Sequence, residues 1–265
     1  MNEIVNTRTV LEWYITAGVD VICGDKPWIG NDQSMSSQLS VFKNNNHSKN
    51  EDVRIATTTL AQATVVACQN ARQLCAKVDT LDELRSLVEN FDGCSLKLTA
   101  NKTVFGYGSA EAELLLIGEA PGADEDRSGI PFVGRSGHLL DKMLQAIHIN
   151  RESCFVTNVL PWRPPGNRTP TDGEVAVCLP FLKRQIELVK PKVILILGGS
   201  AANALLDNAE PISKLRGRWL EYKISDGSVI PVLASFHPAY LLRNSGQKAK
   251  AWGDLLRVKQ KLCEN

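Results

Sequence analysis

Between Leu114 and Asn167 the chain gathers the side chains that could do chemistry. An apolar run, Leu114 to Ile117, stops at Gly118, and the segment GEAPGADEDRSGIPFVGRSG follows. That segment carries carboxylates at Glu119, Asp124, Glu125 and Asp126 and an aromatic ring at Phe132. A second apolar stretch brings in Asn158, and a distant third ends in SFHPAYLLR, with His237 just past it. A carboxylate can place a water or take a proton, and a ring can stack on a flat ligand. A primary amide donates and accepts in one plane, and an imidazole N–H steadies developing negative charge. Together they describe a pocket for a flat heterocyclic base. Each residue alone has a plainer reading: His237 beside Pro238 as a surface turn, Asn158 as a turn former, Phe132 after Pro131 as core packing.

These residues matter jointly only if the fold brings them to one edge. Apolar runs at Leu114–Ile117, Cys154–Leu160, Val193–Leu197 and Val229–Ser235 predict strands. They lack strict alternation, which is the pattern of strands covered on both faces. Helices are predicted over Ser136–Ala146, Thr171–Val189, Ser200–Leu206 and Lys248–Leu262. Strands alternating with helices predict a three-layer α/β/α fold with a central, mostly parallel four-stranded sheet. All the candidate residues then fall at the carboxyl ends of strands, where open α/β sheets bind ligands. Gly118, Pro121 and Gly122 would shape the first loop so that backbone approaches a ligand closely. Gly198, Gly199 and Ser200 open a helix after a strand, an arrangement that suits a phosphate but is equally an ordinary tight turn.

Residues 1–80 read as a helical N-terminal extension and 81–265 as the main domain. Within the extension, Val10–Val19 reads as a short helix. Residues 31–52 are rich in Asn, Ser and Lys, too polar to offset chain entropy, and read as a disordered linker. Val53–Val78 reads as helical, and Thr80 with Glu83 forms a capping-box pattern ahead of another helix.

With 43% hydrophobic and 22% charged residues in 265, the composition is that of a globular protein. No apolar run reaches bilayer length, and the N-terminus lacks the pattern of a secretory signal, so a cytoplasmic monomer is the expectation. Seven cysteines without CxxC spacing read as reduced thiols. The net charge of +1 does not announce a nucleic-acid binder, but from His237 onward Arg243, Lys248, Lys250, Arg257, Lys259 and Lys261 face only two acids. A solvated helix face explains the lysines; Arg243, inside the HPAYLLR motif, suits a phosphate contact.

Four motifs in order, GEAPGADED, PFVGRSG, TNVLPWRPPGNRTPT and FHPAYLLRN, resemble the family 4 uracil-DNA glycosylases of the uracil-glycosylase superfamily. The resemblance runs from about Leu81 to the C-terminus. It implies a monofunctional uracil-DNA glycosylase, a hydrolase of N-glycosidic bonds in base excision repair, acting on uracil-containing DNA. Such an enzyme flips the base and must stabilise an oxocarbenium-like sugar and a pyrimidine anion. By resemblance, Glu119 and His237 are catalytic: His237 donates to uracil O2, and Glu119 positions or polarises the water. Asp124, Glu125 and Asp126 remain alternatives for the water, or loop-capping acids. Family 1 enzymes carry an Asp, in a GQDPYH motif, where this chain has Ala120. Gly118, Ala120, Phe132 and Asn158 fall at uracil-binding positions, Phe132 stacking and Asn158 reading the O4 and N3–H edge. Arg135, Ser200, Tyr240, Leu241 and Arg243 are the DNA-binding candidates. Tyr240 and Leu241 are expected to wedge into the duplex, unless Leu241 and Leu242 simply start the next helix.

The family holds a [4Fe–4S] cluster on four cysteines, and here the chain departs from it. Phe91 and Trp162 stand at two ligand positions, leaving Cys94 and Cys178 as remnants. Two thiolates do not ordinarily hold a cubane, so the expectation is no cofactor and an apolar plug. Two competing readings follow. One is a DNA-binding repair protein of the same fold that has lost catalysis; the other is an unrelated α/β hydrolase, for which no GxGxxG, P-loop or G-x-S-x-G is present. Residues 1–80 read as a solubilising arm or a tether to a repair partner.

Overall fold

The computed structural model describes residues 62–264. The expected helix over Val10–Val19 and the expected linker over 31–52 lie outside the described residues. From residue 62 the elements run α1 (62–75), α2 (Leu81–Asn90), β1 (Tyr107–Gly108), β2 (Leu114–Gly118), α3 (Ala123–Ser128), α4 (Arg135–Ala146) and β3 (Phe155–Asn158). There follow α5 (Asp172–Val189), β4 (Val193–Leu197), α6 (Gly199–Leu206), α7 (Ile212–Leu215), β5 (Trp219–Lys223), β6 (Val229–Ser235), α8 (Pro238–Arg243) and α9 (Lys248–Cys263).

The sheet has six strands, ordered β1-β3-β2-β4-β6-β5, rather than the four expected. The four expected strands form its parallel centre, and β1 and β5 add antiparallel edges. Both edges escaped the sequence pattern for physical reasons. β1 is two exposed residues long, and β5 alternates exposed and half-buried positions, so neither offers a buried apolar run.

Why the centre is parallel can be read from burial. Every residue of β2 and β4 is buried, and side chains alternate between two cores. Leu115, Ile117, Ile194 and Ile196 point to the layer built from α1, α2, α5 and α6, while Leu114, Leu116, Val193 and Leu195 point to α4 and α9. Helices thus cover both faces, giving three layers. Thr80 and Thr171 close full capping boxes with Glu83 and Glu174, fixing where α2 and α5 begin.

The register aligns the functional ends. Gly118 pairs with Asn158, and Leu197 with Ser235. The chain leaves β2 for β3 on one side and later returns to β4 on the other, so β2 marks the point where the winding reverses. A crevice opens outside the strand ends at such a point. Among the described residues no helix is long and apolar enough to cross a membrane.

Helix α1 belongs to the packing. Ala71 and Cys75 sit in the same core as Leu84, Val88 and Phe181, Arg184 donates to the Val78 carbonyl at 2.6 and 3.0 Å, and the Cys68 thiol donates to the Ala176 carbonyl at 2.8 Å. Deleting residues 1–80 is therefore expected to strip one face of α5. At about 2–4 °C per kcal/mol for a domain of this size, several lost buried contacts should lower the melting temperature by roughly 10 °C. Calorimetry of the truncation against the full chain checks this; an unchanged transition would show that α1 contributes nothing to the core. Burial also pushes the Cys75 and Cys154 thiols up to about 12 and about 11, so both stay protonated and unreactive.

Candidate active site

A cavity of about 460 Å³ opens at the carboxyl ends of the central strands, lined by Glu119, Ala120, Phe132, Asn158, His237 and Arg243 among others. Residues separated by more than a hundred positions meet there because β3, β2 and, one strand beyond β4, β6 all end at the same edge of the sheet. Gly118 is the hinge of the arrangement. A Cβ at that position would lie 2.4 Å from the Asn158 Oδ1 and 2.6 Å from the Phe132 ring, so only glycine lets amide and ring converge.

Asn158 ends β3 and is buried, and its Oδ1 has no hydrogen-bond partner among the described residues. Buried acceptors in native proteins are nearly always paired. An orphan facing a cavity is therefore an acceptor kept for something that enters it. Phe132 is buried with a backbone φ of +54°, a region that sterically penalises any residue with a β-carbon. Its ring stacks on that of His237, with centroids 5.6 Å apart and planes 30° from parallel.

His237 caps α8, accepting the Ala239 N–H on Nδ1 at 3.1 Å. With Nδ1 occupied as an acceptor, the neutral ring carries its proton on Nε2. Burial first, then the nearby Arg243 guanidinium, hold its pKa down at about 4, against a smaller opposing pull from Glu125. The imidazole is thus a neutral donor at physiological pH.

The structure sorts the four acids of the loop. Glu125 is buried and spends both oxygens on backbone: Oε2 accepts from Gly122 N, and Oε1 from Val133 N and Gly134 N. Asp126, 1% exposed, accepts from Asn101 and Lys102. Asp124 pairs with Arg127 at the surface. Glu119 alone combines a place in the cavity wall with a carboxylate that makes no hydrogen bond or ion pair among the described residues.

Of the DNA-binding candidates, Tyr240 and Arg243 line the cavity, and Ser200 lines an adjoining hollow with Glu119, His237 and Arg243. Arg135 is exposed at the start of α4, outside the cavity wall. Leu241 requires a correction. It is 1% exposed and packed with Phe236 and Ala251, so it cannot wedge into a duplex without leaving the core. The helical turn from Pro238 points Leu241 inward and leaves Leu242, 40% exposed, on the outer face. Sequence reasoning missed the far wall, formed by Pro164, Asn167, Arg168 and Pro170. The RPPGNRTPT motif held that information, since a Pro- and Gly-rich loop directly after Asn158 has nowhere else to run.

The cluster positions fail to match a four-thiolate site. Phe91 and Trp162 are buried, 4% and 1% exposed, and both pack edge-on against Phe181, at 5.0 and 6.5 Å between centroids. The Trp162 indole N–H donates to Thr103 at 3.0 Å. Cys94 and Cys178 face each other at 3.9 Å, the Cys178 thiol donating to the Cys94 sulfur. That bond lowers the pKa of Cys94 and, with burial, raises that of Cys178. Among the described residues no group of three or more His, Cys, Asp or Glu is placed to hold a metal ion. The residues present do not fit a [4Fe–4S] cluster.

The sequence model of the "Uracil DNA glycosylase superfamily" matches residues 105–256. A type-4 uracil-DNA glycosylase of Archaeoglobus fulgidus is 40% identical over 190 residues, 70% of this chain and 94% of the relative. Another from Thermotoga maritima is 39% identical over 176 residues, covering 64% and 90%. A type-5 uracil-DNA glycosylase of Pyrobaculum aerophilum is 25% identical over 188 residues, covering 65% and 81%. The chain belongs to the uracil DNA glycosylase superfamily.

Proposed function

We propose that this protein is a monofunctional uracil-DNA glycosylase that hydrolyses the bond between uracil and deoxyribose in DNA, releasing uracil and leaving an abasic site. The observation that carries the reading is the buried, unpartnered Oδ1 of Asn158 beside the Phe132 ring. Uracil supplies what that slot lacks. Its N3–H donates to Oδ1, its O4 accepts from the same amide, and its face stacks on Phe132. Cytosine has no N3–H and presents a donor where uracil has O4, so the amide discriminates by leaving polar groups unpaired.

As the glycosidic bond lengthens, negative charge moves into the uracil ring and onto O2. A neutral His237 donating from Nε2 stabilises it there. Glu119, the free carboxylate of the wall, holds a water for attack at the sugar C1′ and offsets the positive charge developing on the sugar. Water held by Glu119 is the nucleophile in this reading, and the reaction stops at the abasic site. Arg243, Tyr240, Ser200 and Arg135 are the groups we assign to the DNA backbone near the extruded nucleotide. The buried aromatic pair supports a cluster-free enzyme in which Phe91 and Trp162 take over the packing role. Residues 81–265 form the catalytic region in this reading, with α1 supporting it.

The test is single-turnover incubation with an oligonucleotide holding one uracil, in EDTA, with alkaline strand cleavage as readout. Uracil release at a rate well above that of an Asn158→Ala control supports the assignment. DNA binding without release would favour the repair protein that has lost catalysis, and loss of activity on chelation would overturn the side-chain mechanism.

The pKa of His237 gives a second check. Its folded value, about 4, lies below the ordinary value of 6.5, so the neutral donor persists as pH falls. The single-turnover rate should show no inflection between pH 8 and about pH 5. Stability contributed by the buried neutral ring is complete above 6.5 and is lost progressively as pH falls towards 4. A rate inflection near pH 6.5 would sink the neutral-donor assignment.

A further inference from the structure

We propose that Arg151, anchored by Asp141, and Glu125 are positioning residues that hold the base-stacking ring of Phe132 ready before the base arrives. The inference rests on the uracil-binding reading of the pocket. It starts from the backbone of Phe132, whose φ of +54° is disfavoured for every residue except glycine. Such a conformation persists only where the surroundings over-determine it, and it clusters at ligand clamps.

The surroundings here do so from both sides. On the amino side and at Phe132 itself, the guanidinium of Arg151 spans two successive carbonyls. Nη2 donates to Pro131 O and Nη1 to Phe132 O, the latter at 2.8 Å. On the carboxyl side, the N–H groups of Val133 and Gly134 donate to Glu125 Oε1 at 3.0 and 2.9 Å. Glu125 Oε2 accepts from Gly122 N at 3.0 Å, tying this turn to the loop after β2. Asp141 on α4 fixes Arg151 at 2.7 Å. Helix α4 closes the last side, since a Cβ on Gly137 would stand 1.7 Å from the Phe132 carbonyl oxygen.

Arg151 is outside the cavity wall, and Glu125, although it lines the cavity, has its oxygens spent on three backbone donors. Arg151 therefore acts through the Phe132 turn, and Glu125 through that turn and the Gly122 loop. A stacking partner fixed in advance loses no conformational freedom on binding, whereas a loose ring must be ordered at the moment of extrusion. The two-carbonyl span requires a planar fork, which a lysine cannot supply.

A double-mutant cycle tests this on the full chain, measuring single-turnover kcat/KM on uracil-containing oligonucleotide together with thermal melting. Arg151→Met is expected to lower kcat/KM by about tenfold or more, as small misplacements of positioning groups do, and Arg151→Lys should not restore it. In a Phe132→Ala background the same substitution should change kcat/KM less than about twofold, because the ring it serves is gone. A full tenfold loss persisting in that background would overturn the proposal, since a general loss of folding would act regardless of the ring. So would an Arg151→Met rate within twofold of wild type. If Arg151→Met does not fold, Asp141→Asn, which keeps the guanidinium but frees its anchor, enters the same cycle with the same two outcomes. A wild-type protein that releases no uracil would refute the functional reading itself, separately from the clamp.

Discussion

Asn158→Ala and His237→Ala are each expected to slow uracil release by on the order of 10²-fold or more, the usual effect of removing one donor to a developing anion or one bidentate base contact. Melting temperature should separate this from damage to the fold. The Asn158 Oδ1 has no partner among the described residues, so deleting it breaks no hydrogen bond there and relieves a buried unsatisfied acceptor. Asn158→Ala should therefore melt within about 3 °C of wild type, roughly 1 kcal/mol for a domain of this size. His237→Ala loses a helix cap to Ala239 N and should fall by about 1 kcal/mol more. Near-wild-type rates in both variants would mean that base recognition lies elsewhere.

The second large effect concerns Phe91 and Trp162. Each is a buried aromatic, and truncating one to alanine ordinarily costs about 3–5 kcal/mol, or roughly 6–20 °C at this domain size. Because both rings pack on Phe181, their losses should couple, and the double variant should cost less than the sum. Trp162 carries an additional term, since its removal also breaks the bond to Thr103. The instructive variant is Phe91→Cys with Trp162→Cys, which places four thiols around a cavity. It should be strongly destabilised as purified aerobically and recover part of that loss on anaerobic loading with iron and sulfide, because metal binding adds to folding free energy. Wild type should be colourless with no bound iron by elemental analysis. A brown wild-type protein with about four irons per chain would refute the plug.

Much of this protein was legible before any coordinates, and the reason is local. Leu114–Ile117 and Val193–Leu197 are buried on both faces, and such strands announce themselves as unbroken apolar runs. The capping box of Thr80 with Glu83 fixes a helix start through an interaction spanning three residues. The edge strands β1 and β5 were not legible, because an edge takes its pairing from a neighbour and its outer face from solvent. The span of α1 within the main core was also missed, since an Ala-rich helix with few large side chains looks peripheral until its contacts are seen.

Sequence by itself determined which residues stand past which strand ends, and so placed Glu119, Phe132, Asn158 and His237 on one edge. Through the family resemblance it also set the expectation that Phe91 and Trp162 stand where relatives carry cluster cysteines. Only the tertiary structure decided which acid is free. Asp124, Glu125 and Asp126 look equivalent in sequence, yet one pairs at the surface, one binds three backbone amides and one is buried against Asn101. It likewise turned Leu241 into the core and Leu242 outward, a difference of one residue that rotates a helical side chain by about 100°. Hydrogen-bond partners and facing directions are set by groups far apart in the chain, and no spacing along the sequence encodes them.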